Sequence, residues 1–128
     1  MTNKIDISFL KVADIIKDAQ HAAFKKVNEE LINMYWNIGE FLSLESKKAS
    51  FGDAYIDSVA KYIQKEFPGI KGFIRRGLYR MKQFYEIYCN DEFVSTLLSQ
   101  ISWSNHLSII SKAKTVEERH FYITLSVK

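Results

Sequence analysis

Apolar residues recur at steps of three and four from Phe9 through Val12, Ile16, Ala19, Ala23, Val27, Leu31, Met34 and Ile38 to Phe41. No proline interrupts them, because the only proline of the chain is Pro68. Steps of three and four place side chains on one face of a helix. The spacing therefore predicts a single helix over about residues 8–46, with Asp6 or Ser8 as its N-cap. Gly39 is its one candidate bend. At 1.5 Å per residue such a helix spans roughly 55 Å, longer than a small domain is wide. Part of it is expected to pack against a partner or another domain.

The rest of the chain reads as shorter helices. The segment SKKASFG, residues 46–52, breaks the periodicity, and Asp53 stands near a second start. Tyr55, Ile56, Val59, Ala60 and Ile63 form the buried face of that helix, which Pro68 terminates because the residue before a proline avoids the helical region. After the loop PGIKG, a third helix is expected from about Ile74 to Cys89, with Leu78, Met81, Phe84, Tyr85 and Tyr88 inward. Phe93, Val94, Leu97 and Leu98 suggest a short fourth helix. Ser102 or Ser104 caps a fifth carrying Leu107, Ile109 and Ile110. Thr115 with Glu118 has capping-box spacing for a last helix with Phe121, Tyr122 and Leu125. No repeat, low-complexity tract or hairpin signal appears. The expected fold is all-α: a single helical domain over 1–128, with the long helix, a helix-turn-helix-like region at about 53–89, and C-terminal helices at about 93–127. The chain stops without a helix-ending signal, so a longer protein is expected to continue beyond Lys128.

Composition supports this reading. Of 128 residues 47% are hydrophobic and 14% aromatic, enough for a core, while five glycines and one proline are too few for the many turns of a sandwich or barrel. Cys89 is the only cysteine, which excludes an internal disulfide and suits a reducing compartment. The opening MTNKIDISF lacks the basic and apolar regions of a secretory signal. No apolar run reaches the length of a membrane span. A cytoplasmic protein without membrane contact is the expectation.

Groups for catalysis are scattered. His21, His106 and His120 have no metal-ligand spacing with one another or with Cys89; His106 reads as a packing or capping residue and Cys89 as a small buried hydrophobe. No phosphate-binding glycine loop is present. Glu45-Ser46-Lys47 has the acid-x-lysine spacing of metal-dependent nucleases, yet fifteen acids and fourteen lysines give such a match about once or twice by chance. It also falls at a helix end, where the nuclease arrangement needs a strand. No catalysis and no cofactor are expected of this chain.

Charge is where the sequence becomes specific. Lys61, Lys65, Lys71, Arg75, Arg76, Arg80 and Lys82 fall in one 22-residue window against the single acid Glu66, leaving +6 there in a chain whose net charge is +3. Segregated positive charge is what binding to phosphates by counterion release uses. A helix, a glycine-containing turn and a basic helix give the helix-turn-helix outline. Arg76 and Arg80 lie four apart on one face. Arg75 and Arg76 lie in the first turn, where free backbone N–H groups favour an anion. Lys71, Arg75, Arg76, Arg80 and Lys82 are the candidate DNA contacts. The alternative is a solvated basic face whose arginines pair with Asp57, Glu66 or Glu86.

Four segments taken together resemble a known family: VNEELINMYWNIGEFL (27–42), FGDAYIDSVAKYIQKEFPGIKGFIRRGLYRMKQFYEIY (51–88), ISWSNHLSII (101–110) and EERHFY (117–122). In this order they are similar to the N-terminal domain of the bacterial DUF1016 proteins, also called the YhcG family. The resemblance implies a helical module of helix-turn-helix or winged-helix character that binds DNA. It also implies a downstream nuclease domain of the PD-(D/E)XK class, whose carboxylates have no counterpart here. Two departures stand out. The family's usual Gly-Phe-Ser-x-Arg-Asn-Leu reads Gly72-Phe73-Ile74-Arg75-Arg76-Gly77-Leu78, so a capping serine becomes Ile74 and an asparagine becomes Gly77. Its usual Trp-Ser-His reads Trp103-Ser104-Asn105-His106.

Two functional readings follow. In the first, the chain is the DNA-binding N-terminal module of a predicted nuclease. In the second, it is an interaction module whose long first helix drives homodimerisation or docks a partner without touching DNA. Tyr35 and Trp36 on that helix are read as core, and Trp103 as a packing anchor rather than a base-stacking platform.

Overall fold

The computed structural model describes residues 3–48 and 52–127. Five α-helices follow one another: α1 (Asn3–Lys48), α2 (Gly52–Glu66), α3 (Arg75–Tyr88), α4 (Trp103–Lys112) and α5 (Val116–Ser126), with one 3-10 turn at Leu98–Gln100 between α3 and α4. No strand occurs among the described residues, and the fold is all-α.

Helix α1 runs for 46 residues, about 70 Å at 1.5 Å per residue. It starts upstream of both Asp6 and Ser8, so neither is its cap. Nothing between Asn3 and Ser8 breaks a helix, and the turn propagates through them. Gly39 lies inside α1, which is helical on both sides of it. A Cβ at Gly39 would overlap the backbone carbonyl of Met81 on α3. The glycine is there because two helix backbones touch.

That contact organises the molecule. α3 is the central helix, packed chiefly along α1 and also against α2 and α4. Its Leu78, Met81, Phe84 and Tyr88 are buried. Two clusters meet on it. One gathers Leu42 of α1, Ile56 and Ala60 of α2, Phe73, Leu78 and Met81. The other gathers Ile32, Phe84, Tyr88, Val94, Leu98, Ile101, Ile109, Ala113 and Ile123. Tyr35 and Trp103 stack with ring centroids 4.4 Å apart and join the two, while Trp36 meets Phe84 and Tyr85 edge-on at 5.6 and 5.0 Å. These aromatic residues are core, as the sequence indicates.

Three elements depart from expectation. Phe93–Leu98 is not a helix; turns lead into the 3-10 turn at Leu98–Gln100. Just beyond it, Asn28 of α1 fastens the chain: its side-chain amide donates to the carbonyls of Ser99 and Ile101 at 3.1 and 3.0 Å. In α5 the buried residue is Ile123, while Phe121, Tyr122 and Leu125 are exposed. The third departure concerns α1. Its buried row is Ile32, Gly39, Leu42 and Ser43, not the stripe from Phe9 to Phe41. The caps are as the spacing suggests: Ser102 accepts from Asn105 N–H at 3.2 Å, and Thr115 and Glu118 form a reciprocal capping box.

Candidate nucleic-acid interface

The window of basic residues folds as the end of α2, an eight-residue connection (67–74) and the first two turns of α3. Gly69 and Gly72 have φ of 84° and 88°, a backbone region in which a side chain is strained. They let the chain reverse twice and insert Phe73 into the core beside Leu78. The connection is longer than the three or four residues of a compact helix-turn-helix. The order helix, turn, basic helix is present; the tight turn is not.

Helix α3 opens without a side-chain cap. Ile74 is its N-cap, extended at φ −76° and ψ 173°, and offers no acceptor to the free N–H groups. The departure of Ile74 thus leaves the first turn, with Arg75 and Arg76, holding unsatisfied donors. Ile74 is 58% exposed, so replacing it removes little packing. Ile74→Ser is expected to raise stability by about 1 kcal/mol, seen as a higher denaturation midpoint in urea with an unchanged slope. Gly77 has a reason of its own, since a Cβ there would overlap the carbonyl oxygen of Gly72. The usual helix penalty of a glycine is accepted here for the approach of the turn onto α3.

The five candidate side chains divide into two groups. Arg75 lies across α2: its Nε donates to Asp57 at 2.8 Å, and its guanidinium sits 5.2 Å from the centre of the Tyr79 ring. Tyr79 donates in turn to Asp53, a bond that pushes the phenol above its ordinary pKa. Lys82 pairs with Glu86 at 3.2 Å, and Glu86 accepts from the buried Ser43 of α1 at 2.7 Å. Burial pushes the Glu86 carboxyl up, but the Ser43 bond and Lys82 outweigh it and leave it below the usual carboxylate value. Arg75 therefore ties α3 to α2, the pairing with Asp57 that the alternative reading of the sequence describes, while Glu86, held by Lys82, ties α3 to Ser43 of α1.

Lys71, Arg76 and Arg80 form the other group. Among the described residues no carboxylate lies within ion-pair distance of any of them. Arg76 and Arg80 lie one turn apart on the α3 face that also carries Gln83, away from the buried Leu78, Met81 and Phe84. Lys61 and Lys65, one turn apart on α2, are exposed and likewise unpaired. The result is a cationic surface of lysines and arginines around a helix start.

Elsewhere the titratable groups serve packing. His106 is fully buried between Phe84 and Trp103, with Nε2 2.7 Å from the carbonyl oxygen of Leu98. His120 pairs with Asp91 at 2.7 Å and stacks on Phe93. Cys89 is exposed, not buried as the sequence suggested, because α3 ends at Tyr88 and carries it past the core. Glu45 and Lys47 sit in the last turns of α1, where Glu45 pairs with Lys48 at 3.2 Å. Among the described residues no three His, Cys, Asp or Glu side chains gather to hold a metal ion, and no helix is long and apolar enough to cross a membrane.

Fold and site together define an all-α module that presents one side of a central basic helix. The chain belongs to the DUF1016 N-terminal domain family, whose model matches residues 11–128. No match was found among curated proteins or among solved structures.

Proposed function

We propose that this module binds the phosphate backbone of duplex DNA through Lys71, Arg76 and Arg80, with Lys61 and Lys65 at its flank, and positions a nuclease domain of the same protein. The observation that carries the reading is the pair Arg76 and Arg80. They lie on one face at a helix start with free N–H groups, Arg76 exposed and Arg80 half-buried, and among the described residues no acid pairs with either. Arg75 and Lys82 are left out, because Asp57 and Glu86 already hold them. Arginines one turn apart in this arrangement suit phosphate contacts that fix register.

A salt titration of binding to a fluorescent duplex tests this. Affinity is expected to fall linearly in log–log form as salt rises. Arg76→Ala with Arg80→Ala is expected to lower affinity about tenfold and to reduce the salt slope by about two. Lys112→Ala, a basic surface change on α4, is expected to leave both unchanged. Absence of binding at low salt, or a double variant that binds as the parent does, overturns the reading.

A further inference from the structure

We infer that the N-terminal arm of α1 is a self-association surface whose partner is the arm of a second copy, lying antiparallel to it. The body of the protein begins to hold α1 at Asn28, through the bonds to Ser99 and Ile101, and then at Ile32. From Ile7 to Val27 the helix stands clear of the rest. Ile7, Phe9, Leu10, Val12, Ile15, Ile16, Phe24 and Val27 are each more than half exposed there. So large an apolar surface on a helix that packs against nothing marks an interaction site.

The arm is nonetheless amphipathic. Phe9, Val12, Ile16, Ala19, Ala23 and Val27 form one stripe, and Lys11, Asp14, Lys17, Asp18, His21 and Lys25 run along the opposite side. At about 100° per residue, Ile16 lies roughly 160° around the helix from Ile32, which faces the body. The body meets the stripe only further along, at Met34 and Ile38, so a helix laid from Phe9 to Val27 lies beyond it.

The occupant is specified by the stripe itself. Antiparallel pairing of two copies sets Ile16 against Ala19 and Val12 against Ala23, and in that register Phe9 falls against Lys26, next to Val27. Large residues face small ones, the condition for interdigitated packing. Parallel pairing would set Ala19 on Ala19 and Ala23 on Ala23 and leave voids. Of the positions flanking the stripe, Ala13, Ile15, Gln20 and Ala22 carry no charge, and Lys26 is the charged residue beside it. The area is also sufficient. The exposed stripe amounts to on the order of 500 Å² per copy, hence roughly 1,000 Å² in total, about the least a specific interface needs. Two identical patches meeting across a two-fold axis close the assembly at a dimer.

Sedimentation equilibrium over a concentration series tests this, in a Cys89→Ser background for the cross-linking arm. The parent chain is expected to sediment as a dimer, twice the 14.9 kDa of one chain. Val12→Glu with Ile16→Glu is expected to give a monomer with its thermal unfolding intact, since both residues are exposed within one chain. Leu10→Glu, off the stripe, is expected to remain dimeric. An Ile16→Cys protein mixed with an Ala19→Cys protein is expected to cross-link faster than either alone. A parent chain that stays monomeric at every concentration, or a Val12→Glu, Ile16→Glu protein that stays dimeric, overturns the inference. Faster cross-linking of each protein with itself overturns its antiparallel sense.

Discussion

Gly39→Ala is expected to cost about 3 kcal/mol of folding stability, although alanine is the better helix former. On an isolated helix the change would add roughly 1 kcal/mol. Here the new methyl group would overlap the Met81 carbonyl, and the contact behind it is backbone on backbone. No side-chain rotation relieves it. α1 and α3 must move apart, and the rings wedged between them open as well. Trp36 loses its edge contacts with Phe84 and Tyr85, and Tyr35 shifts against Trp103. Chemical denaturation checks the prediction through the midpoint. An unchanged or higher midpoint would mean that the two helices have room to spare, contrary to the geometry. A change of this size is a large fraction of the stability of a small domain.

The same residue shows what a sequence of this kind reveals and what it hides. Helix existence is a local property, so the uninterrupted periodicity from Phe9 to Phe41 announces α1 within a few residues of its ends. Which face of that helix is buried depends on partners distant in sequence. The apolar stripe is the stronger signal, yet the body takes the row through Ile32, Gly39 and Ser43. Gly39 looks like a hinge because a glycine in a helix has no local reason; its reason lies on α3, 42 residues away. The segment Phe93–Leu98 has helical spacing but forms turns, and the chain just after it is fastened to an amide on α1, a contact 71 residues apart. Charge behaves likewise. Seven bases in one window are plain in the sequence, and so are the acids Asp57 and Glu86. That Arg75 and Lys82 meet those acids while Arg76 and Arg80 do not is decided by which turn of α3 each occupies. Ile74 was legible as a missing cap because capping is a matter of one residue and its own backbone.

Folding stability is expected to fall by about 3 kcal/mol as pH is lowered from 7 to 4, most of it owing to His106. Burial pushes the ring down to about 4, against only a partial opposing effect from the Leu98 carbonyl. The surroundings account for the direction: the rings of Phe84 at 4.8 Å, Tyr88 at 6.3 Å and Trp103 at 6.5 Å keep water from the imidazole. Nε2, 2.7 Å from the Leu98 oxygen, is the donor, and Nδ1 is buried without a partner, so a second proton would sit in an apolar site. The folded value lies below the unfolded value of about 6.5, and between the two the unfolded chain binds the extra proton. The contribution of the neutral ring is therefore complete above about 6.5 and is lost as pH falls towards 4, by roughly 1 kcal/mol for each pH unit. The carboxyls of Glu86 and Glu118 are held below their ordinary value and lose their contributions lower in the scale. His106→Gln keeps a donor for Leu98 but cannot titrate. Urea midpoints of the two proteins, followed from pH 7 to pH 4, are expected to converge as the parent loses its advantage. Parallel curves would show that another group carries the slope.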